Sequence, residues 1–284
     1  MGGRLAAALV ERGHEVRALV RDRSRARDLP TEDLHEGDVL DARSLDGAAA
    51  DVDVAYYLIH SMGRGSNGGD FRERERAAAR NFAAMASNAG VDRVVYLGGL
   101  GEPTSEHLRS RHETATILAE HGPPLTYLRA AMVVGAGSES YRTLRALVQR
   151  LPVMIAPSWL RTPTQPIAVD DVIAYLAEAP AHPPQEVQIG GPDVVTYAGM
   201  LDRMAAAMDR RPRPKLPVPL LSPALSSLWI GLVTPVDAGV ARPLIEGLST
   251  PTTVTDPGPA GRFDVTPTPL DRALRQALAE EGGT

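Results

Sequence analysis

Lys215 is the only lysine in the chain, so every other strongly basic side chain is an arginine, which holds its proton throughout the physiological range. Cysteine is absent altogether. That excludes a disulfide scaffold, a thiolate metal site and a cysteine nucleophile. Three histidines, His107, His112 and His121, share one predicted helix with Glu113 and Glu120. The paired histidines four apart with an intervening Glu that a zinc hydrolase needs are missing, so no metal site is expected. Asp170-Asp171 resembles a carboxylate pair, but neighbouring residues at a helix start diverge in direction, and capping is the expected role. What remains is anion chemistry at the N-terminal end. Gly2-Gly3 opens a helix whose free N–H groups can face a phosphate, and Arg21 follows nineteen residues after Gly2 with Arg23 and Arg25 close behind. A guanidinium there can pair with a phosphate monoester, whereas Asp22, turned inward, would favour a free hydroxyl.

The elements that must position these groups alternate in the rhythm of βα units on a parallel sheet. Leu5 to Arg12 reads as a helix stopped by Gly13, and Glu15 to Val20 as a strand. Leu34 to Val39 is a strand, Ala42 to Ala50 a short helix, and Val52 to Ile59 an apolar buried strand. The glycine-rich loop Gly63 to Gly69 follows. Asp70 with Glu73 has the spacing of a capping box for a long helix ended by Gly90. Arg93 to Leu97 is a strand, Ser105 to His121 a helix, and Leu125 to Arg129 a strand. Beyond Gly135 helices near Ser140 to Arg150, Asp171 to Glu178 and Tyr197 to Asp209 mix with Pro-rich segments and a strand at Glu186 to Ile189. The expected division is a nucleotide-binding domain over 1–135, with sheet elements returning near 152–190, and a mainly substrate-side subdomain over 136–284.

With 284 residues the chain can bury a sizeable core. Its 30 basic and 35 acidic residues give a net charge of -5, which argues against a protein that holds nucleic acid by neutralising phosphates. The longest uncharged run, 216–236, carries four prolines and three serines, so a continuous membrane-spanning helix is not expected. A helix over Ala224 to Val233, with Leu225, Leu228, Trp229 and Leu232 on one face, is expected to be buried or to meet a second copy or a membrane surface.

Five segments carry a family resemblance: Met1 to Leu5 with the helix and strand after it, Tyr57 to Gly63, Val94 to Gly101, Leu128 to Ser138 and Gln165 to Val172. Together they resemble the atypical, extended short-chain dehydrogenase/reductases, and within them the bacterial NmrA-like NAD(P)H-binding proteins often labelled nucleoside-diphosphate-sugar epimerases. The resemblance implies an α/β fold with a Rossmann-like doubly wound parallel sheet and a smaller interleaved C-terminal substrate subdomain. It implies a nicotinamide nucleotide as cofactor and a small-molecule substrate, in a cytoplasmic protein with the inner-membrane surface as an alternative site. Gly2 then stands at the third glycine of the phosphate-binding turn, with the first sheet strand and two earlier glycines absent. A sheet without that strand would face a gap of about 10 Å between neighbours, and the natural start is expected some 10 to 15 residues upstream.

Within that frame the cofactor residues are Gly2, Gly3, Arg21, Asp38, Val39, Leu58, Ile59, His60, Gly98, Arg111 and Ala131. Arg21 favours NADP(H) over NAD(H), Asp38-Val39 lie along the adenine, and Leu58-Ile59-His60 line the ribose and pyrophosphate. Family members that reduce carbonyls use a Tyr, a Lys four residues later and a strand-end Ser. No Tyr-x-x-x-Lys pair exists here. His107 takes the tyrosine's place, Arg111 the lysine's, and Gly98 or Gly99 the serine's. His107 can exchange a proton near neutral pH, and Arg111 lies on the same helix face. Two functions stay open: an oxidoreductase or isomerase, and a nucleotide-binding regulator or assembly factor without turnover.

Overall fold

The structure is a computed structural model that describes residues 1–59, 68–151, 153–217 and 248–282. Apolar Leu5, Ala6 and Leu9 form one stripe of the first helix, α1 (Gly2–Glu11), and are the residues it buries. Gly13, with a positive φ, turns the chain out of it. Two short strands follow, β1 (Ala18–Val20) and β2 (Leu34–Glu36). Where a helix is expected at Ala42 to Ala50 the chain makes a 3-10 turn over Ala42–Leu45 instead, started by the Asp41 carboxylate accepting from Arg43 N. Strand β3 (Val54–Tyr57) leads to α2 (Gly68–Asn88), then β4 (Arg93–Gly99), α3 (Glu106–His121) and β5 (Leu125–Ala130). Because α2 begins at Gly68, Asp70 sits inside its first turn rather than at the cap.

The second half contributes β6 (Val133–Val134), α4 (Glu139–Arg150), β7 (Met154–Ala156), β8 (Pro163–Thr164), β9 (Ile167–Ala168) and α5 (Val169–Glu178). After these come β10 (Glu186–Ile189), β11 (Val195–Thr196), α6 (Tyr197–Ala207), β12 (Lys215–Pro217) and α7 (Leu270–Gly282). The main sheet is parallel in the order β10-β5-β4-β3, so β10 returns from the second half to pair with β5. Among the described residues β1 pairs with β2 alone, and β3 pairs only with β4. The parallel sheet is thus divided between β1 and β3. Leu19 of β1 and Ile59 beyond β3 nevertheless pack on one cluster built around Val39, Leu45 and Ala78.

Helices cover both faces of the main sheet. Alternation along β4 sends Val95 and Leu97 to the face of α1 and α5, and Val94 and Tyr96 to that of α2 and α3. On the second face three tyrosines stand in one row across the strands, because Tyr57 is paired with Tyr96 and Tyr96 with Tyr127. Their rings touch, Tyr57 and Tyr96 edge-on at 5.7 Å and Tyr96 and Tyr127 stacked at 5.2 Å. Each such pair contributes about 0.5–1.5 kcal/mol beyond area burial. A third core joins α4, α6 and α7 around Tyr141, Met200, Met204 and Leu274.

The Asp170-Asp171 expectation needs correction. α5 starts two residues earlier than expected, at Val169, and Ala168 at its cap makes no side-chain bond. Asp171 is buried and accepts instead from Thr268 N at 2.7 Å and Thr268 Oγ1 at 2.8 Å, fixing the chain just before α7. Asp193 continues this work by accepting from Leu270 N. The expected helix with Trp229 and almost all of the 216–236 run lie outside the described residues. Among the described residues no helix is long and apolar enough to cross a membrane.

Candidate functional site

The candidate residues expected around the nicotinamide lie at the carboxyl ends of β3, β4 and β5 and in the first two turns of α3. Ser105 caps α3, its Oγ accepting from Leu108 N. His107 and Arg111, one turn apart, are both half-buried. The Arg111 carbonyl accepts from Tyr96 Oη at 3.3 Å. Its guanidinium bears on the whole tyrosine row. Burial pushes the phenols of Tyr57, Tyr96 and Tyr127 well above their ordinary range, and in each case the positive charge of Arg111 opposes the shift. Glu75 of α2, also buried, raises Tyr57 and Tyr96 further.

No side-chain hydroxyl stands at the end of β4, and the packing explains why. A Cβ on Gly98 would lie 2.5 Å from Tyr127 Cε2 and 2.8 Å from Tyr127 Oη. One on Gly99 would lie 2.8 Å from Leu108 Cδ2. Next to these glycines Arg129, whose side chain is only 12% exposed, reaches across from β5. It donates through Nε to Gly99 O at 3.3 Å, through Nη2 to Gly101 O at 2.7 Å, and through Nη1 to Glu186 at 2.7 Å. Its Nη2 also lies 3.2 Å from His112 Nε2, which in turn lies 3.4 Å from Gly101 O. The turn so held includes Gly101 at φ +113°, a conformation open to glycine and few others.

A returning segment covers this turn from above. Thr250 Oγ1 hydrogen-bonds Thr104 Oγ1, Thr252 Oγ1 donates to Thr164 Oγ1 at 2.8 Å, and Val254 N donates to Gln165 Oε1 at 2.9 Å. Neither this strap nor Arg129 was singled out from sequence. Their bonds join residues tens of positions apart and leave no local pattern, although an arginine inside an otherwise apolar strand, at position 129, is itself a signal.

At the nucleotide end, Gly2 and Gly3 form the first turn of α1, and nothing approaches within 4 Å of a Cβ placed on Gly2. Arg21, just past β1, is exposed and makes no hydrogen bond or ion pair among the described residues. Asp22 does not turn inward: its carboxylate accepts from Ser24 N at 2.9 Å and Ser24 Oγ at 2.6 Å, and these bonds lower its pKa. Asp38 accepts from Leu40 N at 3.0 Å. Val39 is buried, with its carbonyl accepting from Asn81 Nδ2 at 2.8 Å. Leu58, Ile59 and Ala131 are half-buried, at the ends of β3 and β5. His60 lies outside the described residues. Lys215 takes no part here, since its ammonium is bound by Asp202 of α6. Among the described residues no group of His, Asp and Glu is placed to hold a metal ion.

A family described as NAD(P)H-binding matches residues 1–144, half of the chain, and that half contains α1, Arg21 and the ends of β3 to β5. The chain belongs to the NAD(P)H-binding family. Several solved structures share its fold over nearly their whole length. WbmH of Bordetella bronchiseptica, solved in complex with NAD+, is 19% identical over 100% of this chain and 96% of its own, with a TM-score of 0.73. A UDP-glucose 4-epimerase of Thermotoga maritima is 14% identical over 99% and 95%, with a TM-score of 0.73. TunA, an NAD-dependent NDP-hexosamine 5,6-dehydratase of tunicamycin biosynthesis, is 16% identical over 100% and 94%, with a TM-score of 0.71. At these identities the likeness shows a shared Rossmann-type fold. No curated protein sequence matches. The residues present fit the family's nucleotide: an open helix N-terminus at Gly2, a free guanidinium at Arg21, and a half-buried Arg111 at the strand ends.

Proposed function

We propose that this NAD(P)H-binding protein prefers NADP(H) to NAD(H) and is an oxidoreductase or isomerase acting on a small carbonyl or carbinol compound. The observation that carries the preference is Arg21, exposed and unpaired beside an Asp22 that is bound into its own turn. A guanidinium so placed suits a 2′-phosphate. Gly2 and Gly3 receive the pyrophosphate, Asp38 and Val39 lie along the adenine, and Leu58, Ile59 and His60 line the ribose and pyrophosphate beyond β3. The nucleotide, when bound, supplies or takes up a hydride at the substrate carbon. Arg111 holds the nicotinamide ribose and provides fixed charge, Gly98 and Ala131 border the ring, and His107 gives or takes the proton at the substrate oxygen.

One observation favours a second reading, a nucleotide-binding regulator or assembly factor without turnover. Tyr127 and Leu108 fill the space in which a strand-end hydroxyl would stand, and no Tyr-x-x-x-Lys pair replaces it. We further assign contact with a second copy or a membrane surface to 216–236, a run that begins at the 58% exposed Leu216, and a cytoplasmic location to the protein.

The test is calorimetric or fluorescence titration with NADPH and NADH, followed by a screen for oxidation of bound NADPH by quinones, aldehydes and sugar nucleotides. Arg21→Ala should weaken NADPH about 10- to 100-fold, the worth of one charge-assisted bond, and leave NADH nearly unchanged. Equal loss of both removes the assignment, and binding without turnover favours the regulator.

A further inference from the structure

Tyr127 is 6% exposed, and its Oη is buried without a hydrogen-bond partner among the described residues. An O–H donor is seldom left so. The ring is not free to turn away in search of one. Tyr96 stacks on it at 5.2 Å, and His112 meets it edge-on at 6.3 Å. The hydroxyl is therefore aimed at a fixed place under Gly98, where it lies 2.8 Å from the position of a Cβ. Gly98 is itself only half-buried. Because residues 98 and 99 are both glycine, β4 itself places no side chain over the phenol at this end of the strand.

We propose that Tyr127 supplies from β5 the hydroxyl that β4 lacks, and that its O–H donates to an oxygen of the nicotinamide half of the bound cofactor. The inference rests on the nucleotide-binding reading above. In a doubly wound sheet the two halves of a dinucleotide lie over the carboxyl ends of strands on either side of the division. With Arg21 marking the adenosine half beyond β1, the nicotinamide half falls over β3, β4 and β5. Burial keeps the phenol protonated, pushing its pKa well up, with Tyr96 adding to the shift and Arg129 and Arg111 opposing it. It is thus a donor at every physiological pH. No proton leaves Tyr127 in this role; it is a positioning residue, and His107 remains the proton carrier.

The test compares NADP+ with adenosine 2′,5′-bisphosphate, which carries the adenosine half alone, on the full chain and on Tyr127→Phe. The variant keeps the ring that packs under Gly98. It should bind NADP+ about three- to tenfold more weakly, the range of one uncharged hydrogen bond, and bind the bisphosphate as the parent does. In parent protein labelled with [13Cζ]tyrosine, the resonance missing from the variant should move on adding NADP+ and stay in place with the bisphosphate. Unchanged NADP+ affinity in the variant, or a resonance that stays in place in NADP+-saturated parent, overturns the proposal. So does a variant that loses affinity for both ligands alike. Failure of the parent to bind either ligand removes the cofactor reading itself, and this inference with it.

Discussion

Replacing Gly98 with alanine sets two effects of opposite sign against each other. In a strand interior alanine is favoured over glycine by about 0.5–1 kcal/mol, through backbone entropy, and Gly98 has no positive φ that would forbid the change. Against this, the new methyl would sit 2.5 Å from Tyr127 Cε2 and 3.1 Å from Cζ. The ring is wedged between Tyr96 and His112 and has no easy retreat. Overpacking of this kind costs about 1–3 kcal/mol, so the steric effect should win. Gly98→Ala is expected to lower the thermal midpoint by about 2 to 6 °C. The decisive measurement is a double-mutant cycle by urea and thermal unfolding. Tyr127→Ala alone should cost about 3–5 kcal/mol. With the ring gone, Gly98→Ala should become neutral or mildly stabilising, giving a coupling of about 1–3 kcal/mol. Costs that simply add, within about 0.5 kcal/mol, would refute the contact between strand end and ring on which the tyrosine argument depends.

Three further outcomes are expected. Arg111→Ala should reduce any NADPH-dependent turnover by more than about 100-fold through lost positioning and charge, and unchanged steady-state rates would remove Arg111 from the site. Arg129→Lys should not rescue the loss of stability seen in Arg129→Met, because an ammonium cannot reproduce the planar fork that reaches Gly99, Gly101 and Glu186 together; equal melting curves for Arg129→Lys and parent would contradict this. The pKa of Asp193 is lowered first by the bond from Leu270 N and then by Arg203. A depressed carboxyl contributes stability above its unfolded pKa, about 3.9, and that contribution is lost as pH falls through the still lower folded value. Acid titration of Asp193→Asn should therefore show a lower stability at pH 7 and a shallower decline below about pH 4 than the parent.

Much of the helical framework was legible because local rules decide it. Gly13 and Gly90 end α1 and α2 with positive φ, α3 begins at the expected Ser105, and the strand at 186–189 has the bounds expected from its pattern. Other strands came out shorter than their apolar runs: Val52 to Ile59 gave a ladder only over Val54–Tyr57, since pairing needs a partner as well as a pattern. α7 has no counterpart among the expected elements although Leu270, Ala273, Leu274 and Ala277 hold its period, because Pro257, Pro259, Pro267 and Pro269 just before it give the sequence the look of a loop. Asp171 departs from expectation for a different reason. Its partner, Thr268, is ninety-seven residues distant. The same holds for the site, where His107 and Arg111 could be named from helix spacing, while Tyr127 under Gly98 and the reach of Arg129 depend on which strands lie side by side.

The strap over the β4–α3 turn has a consequence for how the chain can be made. Thr104 waits for Thr250, 146 residues later, and Arg4 in the first turn of α1 bonds Glu280 of α7, 276 residues away. Closing such long loops costs entropy before any contact repays it, and topologies dominated by distant pairs fold slowly. During synthesis the family-defining half emerges first, yet the turn beside Arg111 acquires its cover, and α1 its C-terminal contact, only when the last helix has left the ribosome. A fragment ending near residue 135 would expose Ala130 and Leu128 where β10 should pair. Folding of the chain is thus tied to the segment that carries Thr250 and Glu280, and removing it would uncover the β4–α3 turn and the first turn of α1.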